Sequence, residues 1–386
     1  MKVSISVNGR FHAFDLASQL QQRGILHQLI TPYPSFVARR WGIPDNKITS
    51  LLPIELYKRY VSRRLPKPLR EQCDRIGVRC FDAWAANRLR PGADIFVGWS
   101  GSCLACLEKA ERLGMKTVVE RGSAHIAVQK EILEEEFGRL GASGRLPGAF
   151  SIQREMQEYA LADRISVPSS FAADSFVSKG IEKEKLIQVP YGVDLSDFRQ
   201  VEKTDDVFRV ISAGIFSIQK GSHYLLRAMY ELRHLDRFEF WHLGGVAPEM
   251  EPFIRECASD KIIFKGHQRQ NELFRYYSQG SVFCMASIHD GFGMVVSQAM
   301  ACGLPVICSS NAGGRDIIDE GANGFIVKSQ NSDEIKKKIL ILYGDDVLHS
   351  EMGLAANRKV EKGYTWDDYG ERMVNAYEGM LSYDDV

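Results

Sequence analysis

The 386-residue chain lacks net charge: 49 Lys and Arg stand against 49 Asp and Glu. That balance argues against a protein that coats nucleic acid, which needs a basic excess. Long apolar runs are missing too. The uncharged stretch Gly291 to Gly314 carries Pro305, Gln298 and Asn311 among its glycines, which excludes it as a membrane span. No short-period repeat is present. The eight cysteines are scattered, and the one CxxC, Cys103 to Cys106, has no second CxxC or histidine pair beside it. It falls in a predicted helix, so packing explains it better than zinc or redox chemistry. No metal-ligand cluster stands out. A chain of this length builds a core without a disulfide framework, so reduced thiols in a cytoplasm are expected. MKVSISVNG already reads as strand and turn, so no signal peptide is expected. The turn Asn8-Gly9 lacks the three-glycine fingerprint of a dinucleotide site.

The composition is 45% hydrophobic and 25% charged, that of a globular protein with room for two domains. Lys2–Val7 reads as a strand, Phe11–Arg23 as a helix with apolar spacing, and Leu26–Ile30 as the next strand. This is a doubly wound opening. Asp94–Gly98, Lys116–Glu120 and Asp163–Val167 continue it. A polar break at Lys203–Asp206 marks a linker, and a second α/β unit starts at Phe208. Its strands include Phe238–Leu243 and Lys261–Phe264, and a final amphipathic helix spans Asp367–Leu381. The domains are therefore drawn at residues 1–203 and 204–364, with 365–386 as a C-terminal helix.

The most informative stretch runs from Cys284 to Val327 and reads strand, Gly-rich turn, helix, strand, second Gly-rich turn, helix. Asp290-Gly291-Phe292-Gly293 turns the chain into a helix at Met294 and Val295. Free N–H groups at a helix start, with the helix dipole behind them, favour a phosphate. Asp290 precedes that helix, and Gln298 lies about a turn and a half into it. Both therefore face one pocket mouth.

These residues resemble the donor-site signature of family 4 retaining glycosyltransferases, which have the GT-B fold. Asp290-Gly-Phe-Gly293, Gln298-Ala-Met-Ala301, Gly303-Leu-Pro-Val306 and Gly313-Gly314 stand in the order of that signature. Ala162-Asp163, Val167-Pro-Ser-Ser170 and Tyr191-Gly-Val-Asp194 resemble its inter-domain segment. Lys220-Gly221 with Leu225-Leu226 and Ala228 is similar to its phosphate segment, and Phe264-x-Gly266 to its base-binding region. The likeness covers roughly residues 160 to 380; the first half matches in layout only. It implies two Rossmann-like α/β/α domains facing across a cleft, with the last helix returning to the first domain. It implies that Gly214, Lys220, Gly266, Asp290 to Val295 and Gln298 hold a nucleotide sugar, Lys220 touching the diphosphate and Asp290 the sugar. His125, after the strand Lys116–Val119, is expected beside the reacting centre, and Gly9 is expected to admit donor phosphate or acceptor. His289 is expected in solvent or loop.

Three positions depart from the signature. Asp290 and Gln298 each replace a glutamate, Asp290 keeping the charge on a shorter arm and Gln298 keeping an acceptor without the charge. Ile215 stands where the family has an arginine, with Arg121 and Arg315 as substitutes for its charge. The implied activity moves a sugar from a nucleoside-diphosphate sugar to a sugar or glycolipid hydroxyl with retention of configuration, without metal or cofactor, in surface polysaccharide or glycolipid synthesis. A GT-B sugar-nucleotide epimerase and a non-catalytic sugar-nucleotide binder are the alternatives. Residues 57 to 90 hold ten Lys and Arg and three acids, interleaved with Tyr57, Tyr60, Leu65 and Leu69. That pattern fits an anionic membrane face or a lipid-linked acceptor, as well as a plain solvated surface.

Overall fold

The computed structural model describes residues 1–382. Residues 383–386, the end of the C-terminal segment, and the side chains of Lys58, Arg63 and Lys67 in the basic stretch lie outside the described residues. The first half holds β1 (Val3–Ser6), β2 (Leu26–Thr31), β3 (Ile48–Ser50), β4 (Ile95–Trp99), β5 (Lys116–Glu120), β6 (Arg164–Val167) and β7 (Leu186–Gln188). They form one parallel sheet in the order β3-β2-β1-β4-β5-β6-β7. The second half holds β8 (Phe208–Ala213), β9 (Phe238–Leu243), β10 (Ile262–Gly266), β11 (Val282–Met285), β12 (Val306–Ser309) and β13 (Gly324–Val327). These pair, again in parallel, as β10-β9-β8-β11-β12-β13. Both sheets are doubly wound, and each reverses its winding direction once, between β1 and β4 and between β8 and β11. Ligands of such sheets bind at that reversal, outside the C-terminal strand ends.

Helices cover both sheet faces, so central strands are buried on both sides, as in β1 and β11, where every residue is buried. The helix Ala13–Gln22 shows why the 3.6 period works: Ala13, Phe14, Leu16, Ala17 and Leu20 are buried while Gln22 is not. The final helix, Trp366–Ser382, buries Tyr369, Met373, Tyr377 and Met380. It packs along Ala13–Gln22 of the first half, with Arg23 held to Asp367 at 2.7 Å. One apolar cluster runs from Val3 and Leu20 through Tyr191 and Tyr369 to Phe292 and Met300, so the halves share a core.

Three elements differ from the sequence expectation. Lys203–Asp206 is fastened to the second half: Lys203 donates to Val207 O and Ser281 Oγ, and Thr204 to Gln279. The chain crosses between the halves earlier, at Tyr191–Val193, where Val193 N donates to Tyr364 O at 2.8 Å. The outgoing and returning segments thus run side by side. The helix expected after Gly313-Gly314 is a short 3-10 stretch, Gly313–Ile317, and the chain then enters β13. The apolar Phe325 and Val327 are needed at the sheet edge, where they are buried. The helix Ile126–Arg139 starts in the first half, yet Leu133 and Phe137 pack with Leu225, Leu226 and Met229 of the second. Among the described residues, no helix is long and apolar enough to cross a membrane.

Candidate functional site

A cavity of ≈ 320 Å³ lies at the winding reversal of the second sheet. Ser212, Ala213 and Gly214 at the end of β8 and Met285 to Ser287 at the end of β11 form its floor, and Gly122 and Tyr191 of the first half complete it. Its mouth is built by two loops. In the first, Gly221 has φ 59 and its Cα faces Ala286 O so closely that a Cβ would stand 1.9 Å from that oxygen. Only glycine fits, and Lys220 is thereby held over the cavity. In the second, Gly293 has φ 77 and caps the helix Met294–Ala301. That helix start, with Met294 and Val295, faces the cavity.

Lys220 and Asp290 form an ion pair at this mouth, their side chains 34% and 13% exposed. Asp290 is fixed by its surroundings: its backbone pairs with Asn311 and Gly313, and its Oδ1 accepts from Phe292 N at 3.3 Å. The lysine ammonium has three donors, so it can keep Asp290 and still reach an anion. Deeper in the cavity stand Ser212 and His242, hydrogen-bonded at 2.8 Å through His242 Nδ1. His242 Nε2 and Ser287 Oγ are buried there without a partner. Burial pushes the His242 pKa down to about 4, so it is neutral and can donate or accept only as a neutral ring. These three residues escaped the sequence reading because His242 looks like an ordinary strand residue. Two orphaned polar atoms on one cavity wall are what a ligand with hydrogen-bonding groups would satisfy.

Gly214, Lys220, Asp290, Phe292, Gly293, Met294 and Val295 therefore line one cavity. Gly291 lies just outside it, pressed against the first half: Ser169 Oγ donates to its carbonyl at 2.6 Å. Gln298 is buried one turn beyond Met294, on the same helix side, and is not among the lining residues. Gly266 ends β10 with φ 68 and accepts from Gly244 N at 2.9 Å, away from the cavity wall. Gly9 sits at the reversal of the first sheet, its Cα against the Phe11 ring.

His125 is not among the lining residues. It caps the helix Ile126–Arg139 by accepting from Ala127 N at 3.2 Å, and packs on Tyr159 and Phe176 at 5.2 and 5.0 Å. Burial, with Arg121 nearby, lowers its pKa to about 4. His12 comes nearer: its Nε2 meets Glu120 Oε1 at 2.8 Å, and its ring lies 4.0 Å from that of Tyr191. His289, expected in solvent or loop, is only 1% exposed. It is wedged between the halves, 3.4 Å from Ser123 Oγ and edge-on to Phe171, because Gly291 brings its loop onto the first half. Burial lowers its pKa to about 4. Ile215 lines the cavity and is 62% exposed. Arg121 and Arg315 are engaged elsewhere, Arg121 with Glu155 at 3.0 Å and Arg315 with Ser310 O at 2.7 Å.

The second domain is recognisable by sequence: residues 208–345 match the family model of Glycosyl transferases group 1. An uncharacterized glycosyltransferase of Methanocaldococcus jannaschii is 29% identical over 189 residues, 47% of each chain. A D-inositol 3-phosphate glycosyltransferase of Catenulispora acidiphila is 24% identical over 374 residues, 85% of this chain and 86% of that protein. The chain spans about half the length of other curated relatives it matches, 47% to 48% of three of them. Among solved structures, sucrose-phosphate synthase from Thermosynechococcus elongatus superposes with a TM-score of 0.73 at 18% identity, covering 99% of this chain and 100% of that one. Anabaena HepE in complex with UDP gives 0.71 at 13% identity, covering 98% and 100%. The fold is thus GT-B, and the second domain is similar to group 1 glycosyl transferases.

Proposed function

We propose that this chain transfers a sugar from a nucleoside-diphosphate sugar to the hydroxyl of a sugar or glycolipid, with retention of configuration. The observation that carries the reading is the cavity mouth, where Lys220, Asp290 and the start of Met294–Ala301 converge. The donor's diphosphate sits at that helix start against Lys220, and its sugar lies by Asp290. The bond from the anomeric carbon to the diphosphate oxygen breaks, and the acceptor oxygen bonds to that carbon on the same face. The acceptor's proton passes to the departing phosphate oxygen. Lys220 and the helix start neutralise the charge growing there, and the reading calls for no metal ion. HepE, whose fold is similar, has been seen with UDP-glucose, which supports a nucleotide sugar as donor. Synthesis of a surface polysaccharide or glycolipid belongs to the same proposal. So does docking on an anionic membrane face: Leu56, Tyr60, Val61 and Leu69 are exposed within the basic stretch.

Incubating the protein with a panel of nucleotide sugars, without acceptor, tests the reading. Slow release of nucleoside diphosphate is expected. New sugar isomers would replace it with epimerisation, and binding without turnover with a sugar-nucleotide binder.

A further inference from the structure

A second pair of cavities occupies the winding reversal of the first sheet. The inner one, ≈ 350 Å³, lies between Asn8 after β1 and Trp99 to Ser102 at the end of β4. The outer one, ≈ 700 Å³, lies between the helix Lys67–Arg88 and the segment 144–151. They adjoin, because Asp74 and Val78 line both. Those two residues are one helical turn apart, about 6 Å along the axis.

The walls differ in chemistry. The inner cavity has the Trp99 indole, only 5% exposed, whose Nε1 is buried without a partner. Ser100, Ser102 and Tyr57 stand around it. A lone buried donor among hydroxyls and ring faces suits a ligand rich in hydroxyls. The outer cavity has Arg70, Arg75 and Arg145, and among the described residues none of the three has an ion-pair partner. Arg75 is steadied over the Phe150 ring at 5.9 Å. Asp74, on the shared ridge, is taken up by Ser62 at 3.0 Å and Tyr57 at 3.4 Å, and Glu71 is the remaining acid on the outer wall. Unpaired guanidinium forks match phosphoryl oxygens. Position completes the case. The His12 ring stands between Trp99, at 5.1 Å, and Tyr191, at 4.0 Å, and Tyr191 lines the donor cavity. One aromatic ring thus separates the inner cavity from the donor site.

We propose that the two cavities form one acceptor site for a phosphorylated sugar, its ring beside Trp99 and its phosphoryl group held by Arg70, Arg75 and Arg145. The proposal rests on the transfer reading above. The phosphoryl group is recognised alike on a soluble sugar phosphate and on a lipid-linked one.

Inorganic pyrophosphate, titrated calorimetrically into the full chain saturated with UDP, tests the site, with phosphatidylglycerol vesicles as a parallel arm. The double variant Arg75→Gln, Arg145→Gln removes two charge-assisted contacts from exposed positions and leaves the fold intact. It is expected to weaken pyrophosphate binding at least about tenfold while UDP affinity stays that of the parent. Loss of vesicle binding alongside the loss of pyrophosphate binding assigns the group to a lipid-linked acceptor; unchanged vesicle binding assigns it to a soluble one. Equal pyrophosphate affinity in variant and parent overturns the proposal. So does a defect confined to vesicles, which would make the arginines a membrane contact only. If the parent binds none of UDP, GDP, ADP and CDP, the transfer reading fails, while pyrophosphate titrated alone still reports on the arginines.

Discussion

Removing either member of the Lys220–Asp290 pair should have opposite effects on nucleotide binding. On the proposed reading, Lys220→Ala deletes the ammonium that binds the diphosphate. A hydrogen bond to a charged group contributes about 1.5 to 3 kcal/mol, and each 1.4 kcal/mol is about tenfold. Turnover should therefore fall by about ten- to a hundredfold, with UDP affinity falling too. Asp290→Asn keeps the shape and the acceptor that holds Phe292 N at 3.3 Å, so the loop should survive. It removes a negative charge beside the diphosphate, so UDP should bind as well as before or better. Turnover should still drop, because the donor sugar loses its charged anchor. Titration calorimetry with UDP and a coupled assay for released UDP measure the two quantities, with thermal melts as the folding control. Transfer by Asp290→Asn at the parent rate, or a shift of UDP affinity in the same direction for both variants, would refute the assignment.

Gln298→Glu should change the UDP dissociation constant by less than about tenfold and leave the transferred sugar unchanged, since Gln298 is not among the residues lining the cavity. Gly291→Ala would place a Cβ 2.2 Å from Gly122 O and should prise the halves apart, visible as a larger radius of gyration in small-angle scattering. Stability should fall with acid. His125, His242 and His289 have folded pKa values of about 4, below the ordinary 6.5, so as pH drops below 6.5 the unfolded chain takes up protons first. Each then removes about 1.4 kcal/mol per pH unit until pH 4. Glu158, raised by burial to about 7, works the other way above pH 4.5, so three histidines against one acid leave a net loss. Denaturant melts at pH 7 and 5 check the sign.

The second half was legible because its site is local in sequence. β11, the turn Asp290–Gly293 and the following helix form one continuous stretch, and the glycine positions dictate its geometry. The first half was legible only in layout. Its edge strands β3 and β7 are three residues each, too short for a period to register. His125 and His12 sit on comparable loops, and only the packing of Tyr159 and Phe176 around one and Tyr191 beside the other separates their surroundings. His289 was misplaced for the same reason: its burial comes from the opposite half, which no local pattern encodes.

The helix Ile126–Arg139 limits how this chain can be recombined. Glu136, fully buried near its end, accepts from His223 at 2.9 Å, Tyr224 at 2.8 Å and Gln330 at 2.7 Å, all in the second half. His223 and Tyr224 form the first turn of the helix that follows Lys220. A chimera joined at the linker, taking its first half from a relative, would therefore exchange the carboxylate along with the first sheet. The buried His223 and the less buried Tyr224 and Gln330 would lose their shared partner, and the groove filled by Leu133 and Phe137 would be left open. Hybrids built on this chain should keep residues 132–140 with the second half, so that Glu136, Leu133 and Phe137 stay with the residues they pack against.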